Sequence, residues 1–274
     1  MSPFADSLEP TIPSRIGAGS FATVFAAPGH PVVFKVVHVQ EHAAQILAEY
    51  EVLHCVYGLR NSDSIFALPR ALAFYDPETD DLRYHPPSPN VGRPPKTVLP
   101  ETSIPLLCRL YLGELRPSPF VKTSNFPIDV ASYGLLVDNF PEDLLPLEVV
   151  AQGIGEMLSR IHWTAGYDAR DIEFVMGGDA HFYRTHSYVP FLMFLKMRAF
   201  DKDRDDVALL ADAFFSNDPY YPRPTPGDQL YEEFKRSYVG SCPAKHLARA
   251  ECFFGAIEDR QAANRAATQR SCLA

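Results

Sequence analysis

Three carboxylates, Asp168, Asp171 and Glu173, fall within six residues of one another in the run His162-Trp163-Thr164-Ala165-Gly166-Tyr167-Asp168-Ala169-Arg170-Asp171-Ile172-Glu173-Phe174-Val175. Carboxylates held this close raise one another's pKa values or bind a cation, and either property suits proton transfer. Asp171 and Glu173 share a face if the chain there is extended. Asp168 and Asp171 can enter one cleft from a loop. The competing reading is that the three groups cap the helix end and pair with Arg170 or another cation.

Two further constellations lie near the N-terminus. Gly17-x-Gly19, between strand-like stretches, can bring backbone N–H groups close to a phosphate because no side chain blocks the approach. The same pair also reads as a plain tight hairpin. A strand rather than a helix follows, which excludes a Rossmann fingerprint, and no Lys-Ser/Thr follows, which excludes a Walker loop. Lys35 interrupts the apolar stretch Val32–Val37 and needs a partner or water. Glu49 or Glu51 on the next helix can supply the partner; a solvent-facing lysine on an edge strand is the alternative.

A fourth stretch, Asn217-Asp218-Pro219-Tyr220-Tyr221-Pro222-Arg223-Pro224, reads as a stiff turn. Asn217 or Asp218 caps the preceding helix, Arg223 pairs with a carboxylate, and Tyr220 and Tyr221 are candidates for an aromatic pocket. His181 with His186, or Cys242 with His246 and Cys252, lack the spacing of a zinc site. No metal and no cofactor is expected.

The elements that must carry these groups follow from periodicity. Residues 12–37 read as a strand, a glycine turn and two more strands, and 40–57 as a helix with Ala43, Ile46, Leu47, Tyr50 and Leu53 on one face. Strand-like stretches lie at 65–76, 106–112 and 133–138, with a long irregular loop over 77–103. A helix from Leu147 to about Trp163 buries Val150, Ile154, Met157, Leu158 and Ile161. Helices at 207–215 and 230–238 precede a polar, Ala-rich tail, 244–270. Trp163 reads as core.

Composition bounds the answer. With 274 residues and 46% hydrophobic content, the chain can bury a substantial core, so disorder and a small disulfide scaffold are poor readings. A net charge of −9 disfavours a protein that coats DNA, although a local basic groove is compatible with it. No apolar run is long enough to span a membrane and the first ten residues do not read as a secretory signal. Five dispersed cysteines suggest free thiols in a reducing compartment, so the cytoplasm is expected.

Taken together these pieces resemble a protein kinase. Gly17-x-Gly19-x-Phe21-x-x-Val24 resembles the glycine-rich loop, with Ala22 where a third glycine usually stands. Lys35 resembles the third-strand lysine and Glu49 its helix partner. Residues 133–139 resemble the hinge, Leu147–Ile161 the long helix before the catalytic loop, and Gly166–Phe174 that loop, with Asp171 near the catalytic aspartate. The resemblance implies an α+β, bilobal protein-kinase-like fold, with a β-rich N-lobe over 1–140 and a helical C-lobe over 141–274.

The chain is more closely similar to a fungal family of kinase-like domains labelled zinc-finger-protein-like. The shared features are the glycine loop, Cys108-Arg109-Leu110-Tyr111-Leu112-Gly113, the 162–175 run and the 217–224 turn, covering roughly residues 12–240. The sequence departs from kinases where metal–nucleotide chemistry is done. Lys196 and Arg198 stand where an acidic residue is often found, and no Asn follows Asp171 at the expected interval. Two cations there suit a phosphate backbone better than Mg²⁺.

The chain is also similar to the fungal arginine-containing cyclodipeptide synthases, small kinase-like proteins that use aminoacyl-tRNAs and depend on an acidic motif. That resemblance implies acyl transfer without Mg·ATP. A carboxylate recognises the arginine guanidinium and another takes a proton from the attacking ammonium. Glu173 for the first role and Asp171 for the second is one assignment; the roles can be exchanged, or Asp168 can replace either. Gly17, Gly19, Lys35, Glu49, Lys196 and Arg198 would bind substrate, and Lys196, Arg198, Lys202 and Arg204 would form a patch for the tRNA end. A pseudokinase-like binding or scaffold protein and an ATP-dependent small-molecule phosphotransferase are the alternatives.

Overall fold

A computed structural model describes residues 12–26, 32–59, 65–66, 68, 70–84, 107–113, 125–142, 144–177, 189–194 and 197–273. The chain mixes α and β and divides into two compact units, Met1–Ala48 with Leu72–Leu106 and Glu49–Ala71 with Leu107–Ala274. Neither cut falls at residue 140, which lies inside the second unit.

In the first unit, strands β1 (Ser14–Ala18), β2 (Ala22–Ala26) and β3 (Val33–Val37) form an antiparallel sheet in that order. The glycine turn joins β1 to β2, closed by the Gly19 N–H donating to the Ala22 carbonyl at 2.8 Å. Lys35 on β3 pairs with Val24 on β2. Alternation is inverted relative to an ordinary sheet surface. Phe34 and Val36 are exposed, whereas Lys35 is half-buried, with its Nζ 4.8 Å from the centre of the Phe21 ring.

A hairpin of β4 (Ala73–Asp76) and β5 (Asp81–Tyr84) lies partly in the stretch expected to be an irregular loop. Its strand Asp-Leu-Arg-Tyr carries little apolar signal. The turn closes instead through polar chemistry, with Asp76 Oδ1 accepting from the Glu78 N–H and from Gln40 Nε2, and Asp80 adopting φ 53°. Residues 85–103 of that expected loop lie outside the described residues. Of the strand expected over 65–76, Ala73–Asp76 forms. Helix α1 (Ala43–Tyr57) is counted with the first unit to Ala48 and with the second from Glu49.

The second unit contains a four-stranded sheet in the order β7-β6-β8-β9. Strand β6 (Leu107–Tyr111) runs parallel to β7 (Asn125–Asp129) and antiparallel to β8 (Ile172–Gly177), which pairs with β9 (Val189–Phe194). The strand expected at 133–138 is helix α2 (Val130–Asn139). The side chain of Asp129 accepts from the Ser132 N–H at 2.8 Å and caps it, so helix nucleation prevails over the β propensity of the Leu-Leu-Val run.

Helix α3 (Leu147–Ser159) buries Val150, Ile154, Met157 and Leu158, the face its spacing predicts. It continues as a wide π-helical turn, Arg160–Ala165, ended by Gly166 at φ 81°. Helices α4 (Ala208–Ser216), α5 (Gln229–Ser241) and α6 (Leu247–Leu273) complete the unit. The core joins Val52 and Val56 of α1 to α3 and to a group of rings that includes Trp163, Tyr221, Phe234, Tyr238 and Phe253. Gly155 brings α3 against α5, since a Cβ at that position would overlap the Phe234 carbonyl oxygen.

Candidate functional site around the 166–173 loop

The loop that carries the carboxylates rests on a buried polar column. Trp163 Nε1–H donates to the Tyr238 hydroxyl at 2.8 Å. His162 Nδ1 lies 2.6 Å from the same hydroxyl, within hydrogen-bond distance. His162 is fully buried, and burial drives its pKa down to about 3, against a smaller opposing effect of the Asp168 backbone. The imidazole is therefore neutral at ordinary pH and is a support rather than a proton carrier. The column explains Trp163 as core, as its position at the helix end suggests.

Asp168 is turned inward. It is 6% exposed, and its Oδ1 accepts from the backbone N–H groups of Arg170 and Arg198 at 3.1 and 2.9 Å. Arg170 Nε lies 3.7 Å from Oδ2. Main-chain bonds from Asp168 N–H to the Arg198 carbonyl and from Phe200 N–H to the Gly166 carbonyl zip the loop to residues 198–200. Asp168 thus acts as a structural staple, and the backbone of Arg198 does the holding while its side chain is exposed.

Next, Ala169 and Asp171 both adopt left-handed conformations, φ 58° and 55°. Asp171 is therefore not extended, and the shared face expected for Asp171 and Glu173 does not arise from strand alternation. The kinked backbone is clamped by Asn217, which is 4% exposed. Its Nδ2 donates to the Ile172 carbonyl at 2.9 Å and approaches the Ala169 carbonyl and the Tyr221 hydroxyl at 3.4 and 3.1 Å. The sequence suggested a helix cap for Asn217. Its backbone N–H does close α4 by donating to the Ala213 and Phe214 carbonyls, and its side chain serves the acidic loop.

Glu173 lies on β8 and meets Arg109 of β6. Arg109 Nε and Nη2 both donate to Glu173 Oε2, each at 2.8 Å, with the two side chains 22% and 18% exposed. Burial pulls the Arg109 pKa down, but the Glu173 carboxylate and the neighbouring Tyr220 and Tyr111 outweigh it and the net shift is upward. Tyr220 packs edge-on against Tyr111 at 4.8 Å, and burial followed by the charge of Glu173 raises its pKa. Of the three carboxylates, then, Asp168 is committed to backbone and Glu173 to an arginine. Asp171 is half-buried with no hydrogen bond or ion pair to any described residue. Arg109 is the partner of the acidic run that inspection of the run alone overlooks; its place two residues before Tyr111 in an apolar strand is the signal that could have drawn attention.

The other expected site residues fall as follows. Gly17, Gly19 and Lys35 belong to the first unit and Glu49 to the second. Neither Gly17 nor Gly19 has a positive φ, and a Cβ at either meets no described atom closer than 3.8 Å, so the described fold does not itself require glycine there. Lys196 lies outside the described residues. Around the expected basic patch, Lys202 Nζ donates to the Thr164 carbonyl at 2.9 Å, and Arg204 lies 3.9 Å from Asp201. Four aspartates, Asp201, Asp203, Asp205 and Asp206, interleave with the four cations Lys196, Arg198, Lys202 and Arg204, so the segment 196–206 has no net charge. Arg223 pairs with Asp218 at 2.8 Å, and Tyr221 lines a crevice too narrow to admit water.

Among the described residues no group of three or more His, Cys, Asp or Glu side chains could hold a metal ion, and no helix is long and apolar enough to cross a membrane. No curated protein and no solved structure matches the chain. A family model described as a zinc finger protein (DUF3669) matches residues 191–248. That segment holds one cysteine, Cys242, and one histidine, His246, fewer than the four ligands of a structural zinc site. The chain is thus similar to that family over the segment that holds the acidic loop in place, Arg198 and Asn217 included, rather than over the loop itself.

Proposed function

We propose that this protein is a tRNA-dependent cyclodipeptide synthase of the cytosol that joins arginine from arginyl-tRNA to a second aminoacyl group, on a bilobal kinase-like fold. The observation that carries the reading is the carboxylate of Asp171, which has no hydrogen bond or ion pair among the described residues and sits in left-handed backbone between two carboxylates that are already paired. A half-buried anion with no partner among the described residues is suited to a cationic substrate group or to a proton.

In the reaction, the amine of one aminoacyl group attacks the ester carbonyl carbon of the other. The ester C–O bond breaks and the tRNA 3′ oxygen leaves with a proton. The free amine of the dipeptidyl ester then attacks its own carbonyl, releasing the second tRNA and closing the ring. Both steps need a proton removed from an ammonium and need no Mg·ATP, in keeping with the cations near residue 196. The test is incubation with arginyl-tRNA and each second aminoacyl-tRNA, followed by mass spectrometry for an arginine-containing diketopiperazine.

One observation favours a second reading. The balanced charge of residues 196–206 offers no net attraction to a phosphate chain, as a kinase-like binding module would allow. RNA that co-purifies with the protein, released by salt, separates the two: the synthase requires it and the binding module does not.

A further inference from the structure

We propose that His246 is the pin of an acid-sensitive latch. Neutral, its ring holds segment 198–203 against the 164–168 turn; once charged, the ring leaves its place and the segment loosens. The inference goes beyond the aminoacyl reading and does not depend on it.

The parts of the latch come from three stretches of chain. His246 ends the short helical turn Ala244–His246 that leads into α6, and its side chain is 1% exposed. The ring stacks on Trp163, with centroids 5.5 Å and planes 24° apart. Its Nδ1 lies 3.7 Å from Asp203 Oδ1. Asp203 follows Lys202, whose Nζ donates to the Thr164 carbonyl. Two main-chain bonds join the same segment to the turn, from the Phe200 N–H to the Gly166 carbonyl and from the Asp168 N–H to the Arg198 carbonyl. Arg249 of α6 donates to the Asp205 carbonyl. The segment is thus tied to the turn on one side and to α6 on the other, with the His246 ring between them.

A positive charge is what this place cannot accommodate. An imidazolium donates from both ring nitrogens. His246 Nε2 is buried with no hydrogen-bond partner, so one N–H of the charged ring would be stranded, whichever nitrogen holds the proton of the neutral ring. The charged groups that face the ring are Asp203 and Lys202 from the segment, Lys245 from its own turn and Arg249 from α6. Asp203 and the indole face favour the charge, but Asp203 is 73% exposed and water screens it. Burial is the largest influence and lowers the His246 pKa from its ordinary 6.5; Lys245, Lys202 and Arg249 act in the same direction, against Asp203. A released ring therefore takes up a proton that the seated ring does not, and acid favours release.

Trp163 is the single tryptophan, so its fluorescence reports on the ring stacked upon it. The full chain is titrated from pH 7 to about 4.5, above the range of ordinary carboxylates. Emission should change in one step with its midpoint below 6.5. His162, which also touches Trp163, titrates at about 3, outside that window. His246→Phe keeps an aromatic ring on the indole and should remove the step. Asp203→Asn should move the midpoint to lower pH and Lys245→Met to higher pH. Both of these side chains are exposed, so the two variants decide if His246→Phe does not fold.

Opening of the latch is read by amide hydrogen exchange corrected for the intrinsic effect of pH. The Phe200 and Asp168 amides should lose protection across the step in wild type and keep it in His246→Phe, and the loss should follow the shifted midpoints of the other two variants. A titration with no step, or midpoints that do not move in the stated directions, would overturn the latch. A step with unchanged protection at both amides would overturn it as well, because the ring would then titrate without holding the segment.

Discussion

Asp171 allows backbone and chemistry to be separated by three substitutions at one position. Its φ of 55° is left-handed, and its side chain makes no bond to a described residue, so replacing it changes stability through the backbone alone. A left-handed conformation costs an ordinary L-residue about 1–2 kcal/mol, whereas Gly avoids the clash and Asn tolerates it. Asp171→Asn and Asp171→Gly should therefore unfold within about 0.5 kcal/mol of wild type. Asp171→Ala should be less stable by about 1–2 kcal/mol, a fall in Tm of about 2–8 °C for a chain of this size. Urea denaturation at 25 °C with thermal melting reads the stabilities, and diketopiperazine formation reads the chemistry. All three variants should lose turnover by about 10²–10⁴-fold, including the two that keep wild-type stability. If Ala is as stable as Asn, the loop does not hold this backbone, and the clamp assigned to Asn217 is misplaced. If Asn keeps full turnover with an unchanged melt, Asp171 has no chemical role.

The helix crossing under the site is tested by Gly155→Ala. The new Cβ would overlap the Phe234 carbonyl, so a loss of about 1–3 kcal/mol should exceed the roughly 1 kcal/mol that Ala gains in helix propensity; a rise in Tm would contradict the α3–α5 contact. Tyr238→Phe strands two buried groups, Trp163 Nε1–H and His162 Nδ1, and should cost about 1–3 kcal/mol, with a change in the fluorescence of the single tryptophan; an unaltered spectrum and melt would count against the column. His162 titrates near pH 3 when folded and near 6.5 when unfolded, so the unfolded chain binds the extra proton between those values. Its contribution is complete above pH 6.5 and declines by about 1.4 kcal/mol per unit as pH falls towards 3, and His162→Gln should flatten stability against pH over that window. Gly17→Ala and Gly19→Ala should leave the melting temperature unchanged, because the added carbon has room in both places; a lowered Tm would point to a structural use of those glycines.

What the sequence made legible was periodic and apolar. The buried face of α3 follows from helical spacing, and the strands either side of the glycine turn follow from short apolar runs bounded by turn residues. Elements decided by polar contacts were not legible. Helix α2 exists because Asp129 caps it, against a Leu-Leu-Val run that reads as strand, and β5 exists because Asp76 closes a turn. At the site, sequence proximity grouped Asp168, Asp171 and Glu173 but could not rank them. Their difference is set by Arg109, 64 positions from Glu173, and by the Arg198 backbone, 30 positions from Asp168. Long-range partners of this kind leave no periodic trace. The same holds for Asn217, whose service to the loop 45 residues earlier in the chain is invisible in the turn that contains it.

The central claim is that Asp171 is the reacting or recognising carboxylate of an aminoacyl-tRNA-consuming site. It is tested most directly by a time course of wild type and Asp171→Asn with radiolabelled arginyl-tRNA and a pool of aminoacyl-tRNAs, chromatographed for cyclic dipeptide. Wild type should convert the label into diketopiperazine, and Asp171→Asn, equally folded by circular dichroism, should do so about 10²–10⁴-fold more slowly. A wild type that leaves arginyl-tRNA intact with every partner, or a variant as fast as wild type, would contradict it.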